Sequence, residues 1–222
     1  MSAENIEQLE KFINELGENL LKCNEICEGI SNNKKRGIIP RCLYLENRGE
    51  YEKGCVVVGI NPGISTKKER ADYLKIADLN YEDVKSISKS IIDSHKYYNQ
   101  TRKFLEAIDL KGPILWTELV KCENKDKRLP PIQTFRVCTK NYLTEEIKHI
   151  PINWPLIAVG KIAYNALSFL YPKKAVIGIP HPTGSYGYFD KLIDGKIIDE
   201  VLKDVKKSMN NNAAIWLTHK NI

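Results

Sequence analysis

Six cysteines are the residues of this sequence whose chemistry is the most specific. They form two pairs at short spacing with two single residues between the pairs: Cys23 with Cys27, Cys122 with Cys138, and Cys42 and Cys55. Six cysteines in 222 residues are too few for a disulfide scaffold, and no secretion signal is recognisable, so we expect the thiols to be free or metal-bound. Four thiolates in reducing surroundings bind either an iron–sulphur cluster or zinc.

Two turns rich in glycine and proline carry the other candidate groups. Gly59-Ile60-Asn61-Pro62-Gly63 follows one apolar run, and His181-Pro182-Thr183-Gly184-Ser185 follows another. An asparagine, a histidine and several backbone N–H groups converge if both runs are strands of one parallel sheet. The first turn has neither the G-x-G-x-x-G pattern nor a following Gly-Lys-Ser/Thr, which excludes a dinucleotide site and a P-loop there. A hydrolase nucleophile elbow, G-x-S-x-G, is also absent from the sequence.

Short apolar runs rich in β-branched residues predict the strands that position these turns. We expect four of them: Cys55 to Ile60, Ile114 to Val120, Leu156 to Gly160 and Ala175 to Ile179. Helical patterns separate the runs, so the predicted fold is a three-layer α/β/α sandwich around a central, mainly parallel four-stranded sheet. The whole chain, residues 1–222, is predicted to be one domain.

Apolar residues at helical spacing predict the intervening helices. The expected helices are Ile6 to Leu21, one or two within 64–95, Tyr97 to Leu110, Thr134 to His149, Ile162 to Leu170 and Lys191 to Met209. Cys23 and Cys27 follow the end of the first of these helices.

The composition limits the partners that the protein can have. Hydrophobic residues make up 42% of the chain and charged residues 28%, and the formal net charge is +6. No apolar run approaches the roughly 20 residues of a membrane helix, so we expect no membrane partner and a reducing, cytoplasmic compartment. The positive charge favours an anionic partner such as nucleic acid without requiring one.

Taken together, these segments resemble the uracil-DNA glycosylase superfamily. Gly59-Ile60-Asn61-Pro62-Gly63 is similar to the first motif of the mismatch-specific uracil and thymine glycosylases, and His181-Pro182-Thr183-Gly184-Ser185 to the second motif. Trp116-Thr117-Glu118-Leu119-Val120-Lys121-Cys122, followed by fifteen residues and Cys138, resembles the iron–sulphur branch. The resemblance covers about residues 20 to 190 and implies base excision in the repair of damaged DNA.

The resemblance implies a division of labour between the two turns. A glycosylase flips the nucleotide out of the stack and stabilises a departing base anion beside an oxocarbenium-like sugar. His181 is expected to donate a hydrogen bond to the base oxygen, and the backbone around Gly59 and Ile60 to assist. Asn61 is expected to hold the attacking water. Because an amide is a weak base, the reaction is expected to be slower than with a carboxylate at this position.

Further residues are expected to contact the substrate. Tyr97 or Tyr98 would stack on the flipped base, Ser185 belongs to the second motif, and Tyr186 is the candidate for wedging into the vacated stack.

One position departs from the family pattern. Glu118 stands where the iron–sulphur relatives have an asparagine that reads the pyrimidine edge. An ionised carboxylate only accepts hydrogen bonds and would repel a carbonyl oxygen unless it is protonated, so the identity of the base stays open.

The resemblance also selects Cys23, Cys27, Cys122 and Cys138 as ligands of a [4Fe-4S] cluster. Cys42 stays open as a substitute for Cys23 or Cys27, and zinc is the alternative metal.

The leading hypothesis is therefore a monomeric DNA glycosylase with a structural cluster and no nucleotide cofactor. The alternative is a nucleic-acid-binding iron–sulphur protein of the same fold without excision activity, which Glu118 and the lack of a carboxylate in the first motif would favour.

Overall fold

The computed structural model describes residues 2–76, 79–126, 128–185, 187–195 and 197–217. The helices are α1 (Ser2–Leu21), α2 (Lys67–Leu74), α3 (Tyr81–Ser94), α4 (Lys96–Ala107), α5 (Ile132–Cys138), α6 (Thr144–His149), α7 (Lys161–Leu170), α8 (Tyr188–Leu192) and α9 (Ile198–Asn211). The strands are β1 (Ile30–Ser31), β2 (Leu43–Glu46), β3 (Cys55–Gly59), β4 (Ile114–Glu118), β5 (Glu123–Asn124), β6 (Leu156–Val159), β7 (Val176–Ile179) and β8 (Ala214–Trp216).

Helices flank a mainly parallel sheet of six strands, which confirms the predicted α/β sandwich. The strand order is β2-β4-β3-β6-β7-β8, and the pairs β3–β6, β6–β7 and β7–β8 are parallel. The predicted number of four strands is wrong, because β2 and β8 join the sheet. β1 and β5 form a separate antiparallel pair.

The closing helix also differs from its prediction, since the segment from Lys191 to Met209 is not one helix. The structure has α8 ending at Leu192 and α9 beginning at Ile198. Asp194 and Gly195 lie between them, and both residue types are poor helix formers.

Contacts divide the chain into two compact units, each assembled from three stretches of sequence. Unit 1 comprises Met1–Leu45, Asn61–Ile91 and Trp116–Ile150, and unit 2 comprises Glu46–Ile60, Ile92–Leu115 and Pro151–Ile222. Neither unit is continuous in sequence, so no linker marks the division, and the single domain stays a prediction.

Unit 1 has a core built on the apolar stripe of α1. Leu9, Ile13 and Leu20 are buried, and Gly17 lets the ring of Tyr81 approach, since a Cβ on Gly17 would come within 2.3 Å of that ring. The hydroxyl of Tyr81 donates a hydrogen bond to the backbone oxygen of Leu43 at 2.6 Å. One aromatic side chain therefore joins α1 and α3 to the segment that enters β2.

Unit 2 has a core of buried parallel strands. Residues 56–58 of β3 pair with residues 156–158 of β6, and every side chain in these stretches is buried. Gly178 in β7 makes room for two rings, because a Cβ there would lie 2.3 Å from Trp216 and 2.6 Å from Tyr164. The carboxyl ends of β3, β6 and β7 lie on one edge because the strands are parallel.

The described helices include none that is both long enough and apolar enough to cross a lipid bilayer.

Candidate functional site

Four cysteines of unit 1 line a single cavity, which we call the cysteine cavity: Cys23, Cys27, Cys122 and Cys138. Cys23 follows the end of α1, and Cys27 lies in the loop that leads to β1. Cys122 precedes β5, and Cys138 is the last residue of α5. Among the described residues that line this cavity, Cys42 does not occur. The four ligands expected from the resemblance therefore share one space.

Backbone contacts hold the loop that carries Cys27. The pairing of β1 with β5 is extended by a hydrogen bond of 2.9 Å from the N–H of Lys125 to the oxygen of Gly29. The hydroxyl of Thr134 donates to the backbone oxygen of Glu28 at 2.8 Å. The Cys27 loop is thereby tied to the segments that follow Cys122 and precede Cys138.

Burial favours the protonated thiol at three residues of the cysteine cavity, Cys27, Cys122 and Cys138. It raises the pKa of Cys138 to about 11, although Lys121 acts in the opposite direction. Burial is also the largest cause of the raised pKa of Cys122, with Cys138 next, and of the raised pKa of Cys27, with Cys23 next. Metal binding at these residues would therefore release protons.

The donors of the cysteine cavity suit an iron–sulphur cluster or zinc in type and number. Four cysteines line one space, and the Sγ of Cys138 accepts a hydrogen bond of 3.2 Å from the N–H of Lys121. Across the described part of the chain, no three His, Cys, Asp or Glu side chains are yet arranged to hold a metal ion. The residue types fit such a group.

A buried network of charges holds the first turn in unit 1. Arg41 donates a hydrogen bond to the backbone oxygen of Gly63 and forms an ion pair of 3.2 Å with Glu123. Glu123 also accepts from the N–H of Ser65 at 2.7 Å and from Arg70 at 3.0 Å. Because Glu123 directly follows Cys122, the cysteine cavity and the turn share one ionic support.

A second buried ion pair fixes the end of β4. The Nζ of Lys121 lies 2.6 Å from a carboxylate oxygen of Glu146, and both side chains are fully buried. Thr117 donates to the same carboxylate at 2.5 Å, and Lys121 donates to the backbone oxygen of Glu118 at 2.8 Å. The strand that ends at Glu118 is thus anchored to α6.

Asn61 has its amide oriented by its own turn. The Nδ2 group donates to the backbone oxygen of Pro62 at 3.0 Å. The Oδ1 atom is the one through which Asn61 could accept a hydrogen bond from water.

Glu118 ends β4 with a carboxyl group in an unfavourable environment for a negative charge. Its Oε2 atom is buried and has no hydrogen-bond partner among the described residues. Burial raises the pKa of Glu118 from 4.5 to about 8, opposed by Lys121 and Arg41 and reinforced by Glu146. The carboxyl is therefore largely neutral at pH 7.

His181 lies in unit 2, just after β7, and presents a defined tautomer. The backbone N–H and the Oγ1 of Thr183 both lie 3.3 Å from Nδ1; with Nδ1 accepting from the N–H, the proton of the neutral ring is on Nε2. Burial, followed by the nearby His95, lowers the pKa of His181 below 6.5. The imidazole is therefore neutral at pH 7 and offers Nε2–H as a donor.

An aromatic ring stands beside this histidine. The ring of Tyr97 lies 5.3 Å from that of His181 between centroids, while Tyr98 packs edge-on against Tyr97 at 5.0 Å. The Nδ1 of His95 caps α4 by accepting from the N–H of Tyr97 at 3.1 Å. We call these four residues, His95, Tyr97, Tyr98 and His181, the histidine edge.

The remaining predicted substrate contacts have different positions. Gly59 ends β3 and Ile60 follows it, on the edge where β7 also ends. Ser185 accepts from the N–H of Phe189 at 3.0 Å through its hydroxyl oxygen and so stabilises the start of α8. Tyr186 lies outside the described residues.

Sequence reasoning missed four supporting residues: His95, Arg41, Glu123 and Glu146. His95 was not recognised because only the fold brings it near His181, and nothing in the spacing of the two residues indicates it. Arg41 and Glu123 were missed because they are more than eighty positions apart in the chain, and no local pattern links them. The Val-Lys-Cys segment did indicate the region of Lys121, but not its buried partner Glu146.

Comparison with known proteins gave no match: no model of a protein family fits the chain, and no curated protein is similar to it. The relation to uracil-DNA glycosylases therefore stays a prediction that depends on short motifs and their order.

Proposed function

We propose that this chain is a DNA glycosylase, which flips a deaminated base out of the duplex and hydrolyses the bond between base and sugar. One observation carries the proposal. The neutral imidazole of His181, with Nδ1 accepting from Thr183, presents an Nε2–H donor beside the ring of Tyr97.

This arrangement suits the departure of a base as an anion. Charge develops on the base oxygen as the glycosidic bond breaks, and a fixed donor lowers the barrier most where that charge appears. A neutral imidazole donates without itself losing a proton, so its lowered pKa keeps the donor in its working state at pH 7.

Binding of the base needs a flat apolar surface as well as hydrogen bonds. Tyr97 supplies a ring next to the donor, and base stacking on an aromatic side chain contributes about 1 to 3 kcal/mol. Tyr98 supports Tyr97 from its edge.

Asn61 has the water-holding role in the proposal. Its Nδ2 is engaged by Pro62, so Oδ1 is the atom that would accept a hydrogen bond from the attacking water. An amide orients water but hardly removes its proton, so the proposed reaction is slow.

The cysteine cavity would hold a [4Fe-4S] cluster, with zinc as the alternative. When bound, this group supplies a cross-link between the Cys23–Cys27 loop and the segments after β4 and α5, and no step of the hydrolysis. The protein would act as a monomer on DNA in a reducing, cytoplasmic compartment.

The test is excision from oligonucleotides that carry uracil, hypoxanthine, xanthine or thymine, in duplexes and in single strands. The wild type should leave alkali-labile sites, and Asn61→Ala should remove them while DNA affinity is unchanged. Asn61→Asp is the matched variant, and its carboxylate should raise the excision rate above wild type by about tenfold or more. Failure of the wild type to excise any of the bases would contradict the proposal.

The second candidate is a nucleic-acid-binding iron–sulphur protein without excision activity. The observation that favours it is that the first turn, residues 59–63, contains no carboxylate that could act as a general base. DNA binding that weakens steeply with salt, without excision by anaerobically purified protein, would select this candidate.

A further inference from the structure

Two short segments of unit 1 carry an excess of positive charge. Residues 33–38 and 66–71 together hold six basic side chains and one acidic side chain. The fold brings the segments together, because the single helical turn Lys34–Arg36 contacts α2. Positive charges that are more than thirty positions apart in the sequence therefore lie on two elements in contact.

The first segment is a turn with a fixed backbone. Asn33 and Ile38 close it with two hydrogen bonds, of 2.7 Å from the N–H of Asn33 and of 3.1 Å from the N–H of Ile38. Gly37 has a φ of +66° and touches α2, since a Cβ on it would collide with the backbone oxygen of Arg70. None of the three basic side chains of the turn is buried. The turn thus presents its charges to solvent from a defined position on α2.

The second segment is fixed at the start of α2. Thr66 and Glu69 form a reciprocal cap, in which the side chain of each accepts from the backbone N–H of the other, at 3.1 Å and 2.6 Å. Lys67 and Lys68 follow Thr66 and are exposed. The N-terminus of the helix adds a partial positive charge of its own. The carboxylate of this segment is therefore engaged in the cap, while the two lysines project into solvent.

Five of the six basic side chains have no ion pair with any residue that the structure describes, and we call them the basic platform: Lys34, Lys35, Arg36, Lys67 and Lys68. The sixth, Arg70, is bound to Glu123 at 3.0 Å. Lys68 acts on Asp72 at longer range, but that carboxylate accepts a hydrogen bond of 2.7 Å from Lys75.

Lysines elsewhere on the protein have carboxylate partners close by in the sequence. Three of them pair with an acidic residue three positions earlier: Lys53 with Glu50, Lys85 with Glu82 and Lys148 with Glu145. The basic platform departs from this arrangement, because it holds like charges together. Their repulsion costs free energy, which a negatively charged partner would offset.

The partner that suits the basic platform carries many negative charges in a row. Its cations are spread over two exposed elements, whereas a DNA duplex has one negative charge for about every 1.7 Å of its axis. Contact with several phosphates releases the counterions of the duplex and so favours binding. Residues 33–37 and 66–71 contain no large apolar side chain, so a lipid surface would gain electrostatic attraction alone, which anchors a protein weakly.

We propose that the basic platform binds the phosphate backbone of DNA beside the first turn. The choice of DNA rests on the proposed function, and the choice of a polyanion rests on the charges themselves. Asn61 and Lys67 are six positions apart, so their Cα atoms lie within about 20 Å of each other. This distance is about the length of six base pairs. A duplex whose nucleotide is at Asn61 therefore reaches the platform.

The experiment compares the full chain with two triple variants. The first replaces three exposed lysines of the basic platform: Lys35→Gln, Lys67→Gln and Lys68→Gln. The second is the matched control and replaces three exposed lysines of α9: Lys203→Gln, Lys206→Gln and Lys207→Gln. Both variants lose the same net charge, and circular dichroism shows that both are folded.

Affinity is measured for two duplexes between about 0.05 and about 0.3 M salt. One duplex carries a single 2′-fluoro-2′-deoxyuridine, which is read as uracil but resists hydrolysis, and the other has cytosine at that position. The platform variant should bind both duplexes about 100-fold more weakly at 0.1 M salt, and the slope of log affinity against log salt should fall by about 2 to 3. The two duplexes should lose affinity equally, because phosphate contacts do not read the base. The control should change by less than about fivefold.

A loss confined to the platform variant and equal on both duplexes would support the inference. Equal losses in the two variants, no loss in either, a loss only on the uracil analogue, or no binding of DNA by the wild type would overturn it. Vesicles that contain phosphatidylserine are the second probe. Wild-type binding to these vesicles that weakens in the platform variant, while DNA binding does not, would assign the surface to a membrane and also overturn the inference.

Excision of uracil by the same three proteins separates this inference from the proposed function. DNA binding through the basic platform without excision by the wild type would overturn the proposed function and leave the platform as a DNA-binding surface. Excision by the wild type, with equal DNA affinity in both variants, would leave the proposed function intact and overturn the role of the platform.

Discussion

The cysteine cavity and the histidine edge differ in burial and in how their side chains are held. Around the cysteine cavity, Lys121 is fully buried and paired with Glu146, while Arg41 and Glu123 hold the neighbouring turn. At the histidine edge, the imidazole of His181 is partly covered, keeps an exposed surface and is oriented by the backbone N–H of Thr183. In the first region buried charges hold the chain in place, and in the second an imidazole and tyrosine rings remain at least partly accessible.

This difference predicts that substitutions in the two regions affect different properties of the protein. Breaking a buried charge pair leaves an uncompensated charge, so changes near the cysteine cavity should lower stability or metal content. Changes at the histidine edge remove exposed groups and should lower binding or rate while the fold persists.

The largest effect expected is on bound metal. Cys122→Ser removes one of the four sulphur donors of the cysteine cavity, so protein purified without oxygen should lose nearly all its iron or zinc. Cys42→Ser is the matched control and should retain it, because Cys42 does not line the cavity. Metal analysis and the visible absorbance measure both, and equal metal contents in the two variants would contradict the ligand assignment.

A buried pair should matter more for stability than an exposed one. Glu146→Ala leaves Lys121 buried and unpaired, which should lower the free energy of unfolding by about 3 to 5 kcal/mol. The exposed pair of Lys148 and Glu145 is a control of the same length, 2.6 Å, and Glu145→Ala should cost less than about 1 kcal/mol.

Urea denaturation measures both variants. The double variant Lys121→Met/Glu146→Leu should recover most of the loss, since no charge is then left buried. Equal losses from Glu146→Ala and Glu145→Ala would remove the contrast between the two regions.

The smallest effect expected distinguishes the two tyrosines of the histidine edge. Tyr97→Leu removes the ring beside His181 and should weaken binding of the 2′-fluoro-2′-deoxyuridine duplex by about 1 to 3 kcal/mol. Tyr98→Leu removes only a supporting ring and should weaken it less. Fluorescence titration measures both affinities, and the opposite order would assign the stacking role to Tyr98.

The parts of the fold that the sequence predicts are those with a continuous apolar signal. The strands β3, β6 and β7 are buried along their whole length, so their β-branched runs stand out. In contrast, β8 has three residues, none of them buried, and β2 has four with no flanking run of β-branched residues. Such short strands form because a neighbouring strand is available, which local sequence does not record.

The candidate site divides in the same way. Motif order indicated His181 and the four cysteines, because these residue types are informative by themselves. The tautomer of His181 depends on Thr183, and the neutral state of Glu118 depends on burial. Both properties arise from packing, so residue types and spacing could not predict them.

The most direct test of the account compares His181→Ala with His149→Ala in single-turnover excision of uracil and hypoxanthine, with DNA affinity measured on the same duplexes. His149 stacks on Phe12 in unit 1 and is not one of the residues of the histidine edge. The account predicts that His181→Ala slows excision by about 100-fold to 1000-fold without loss of DNA affinity, and that His149→Ala has the wild-type rate. Equal excision rates in both variants, or no excision by the wild type, would contradict it.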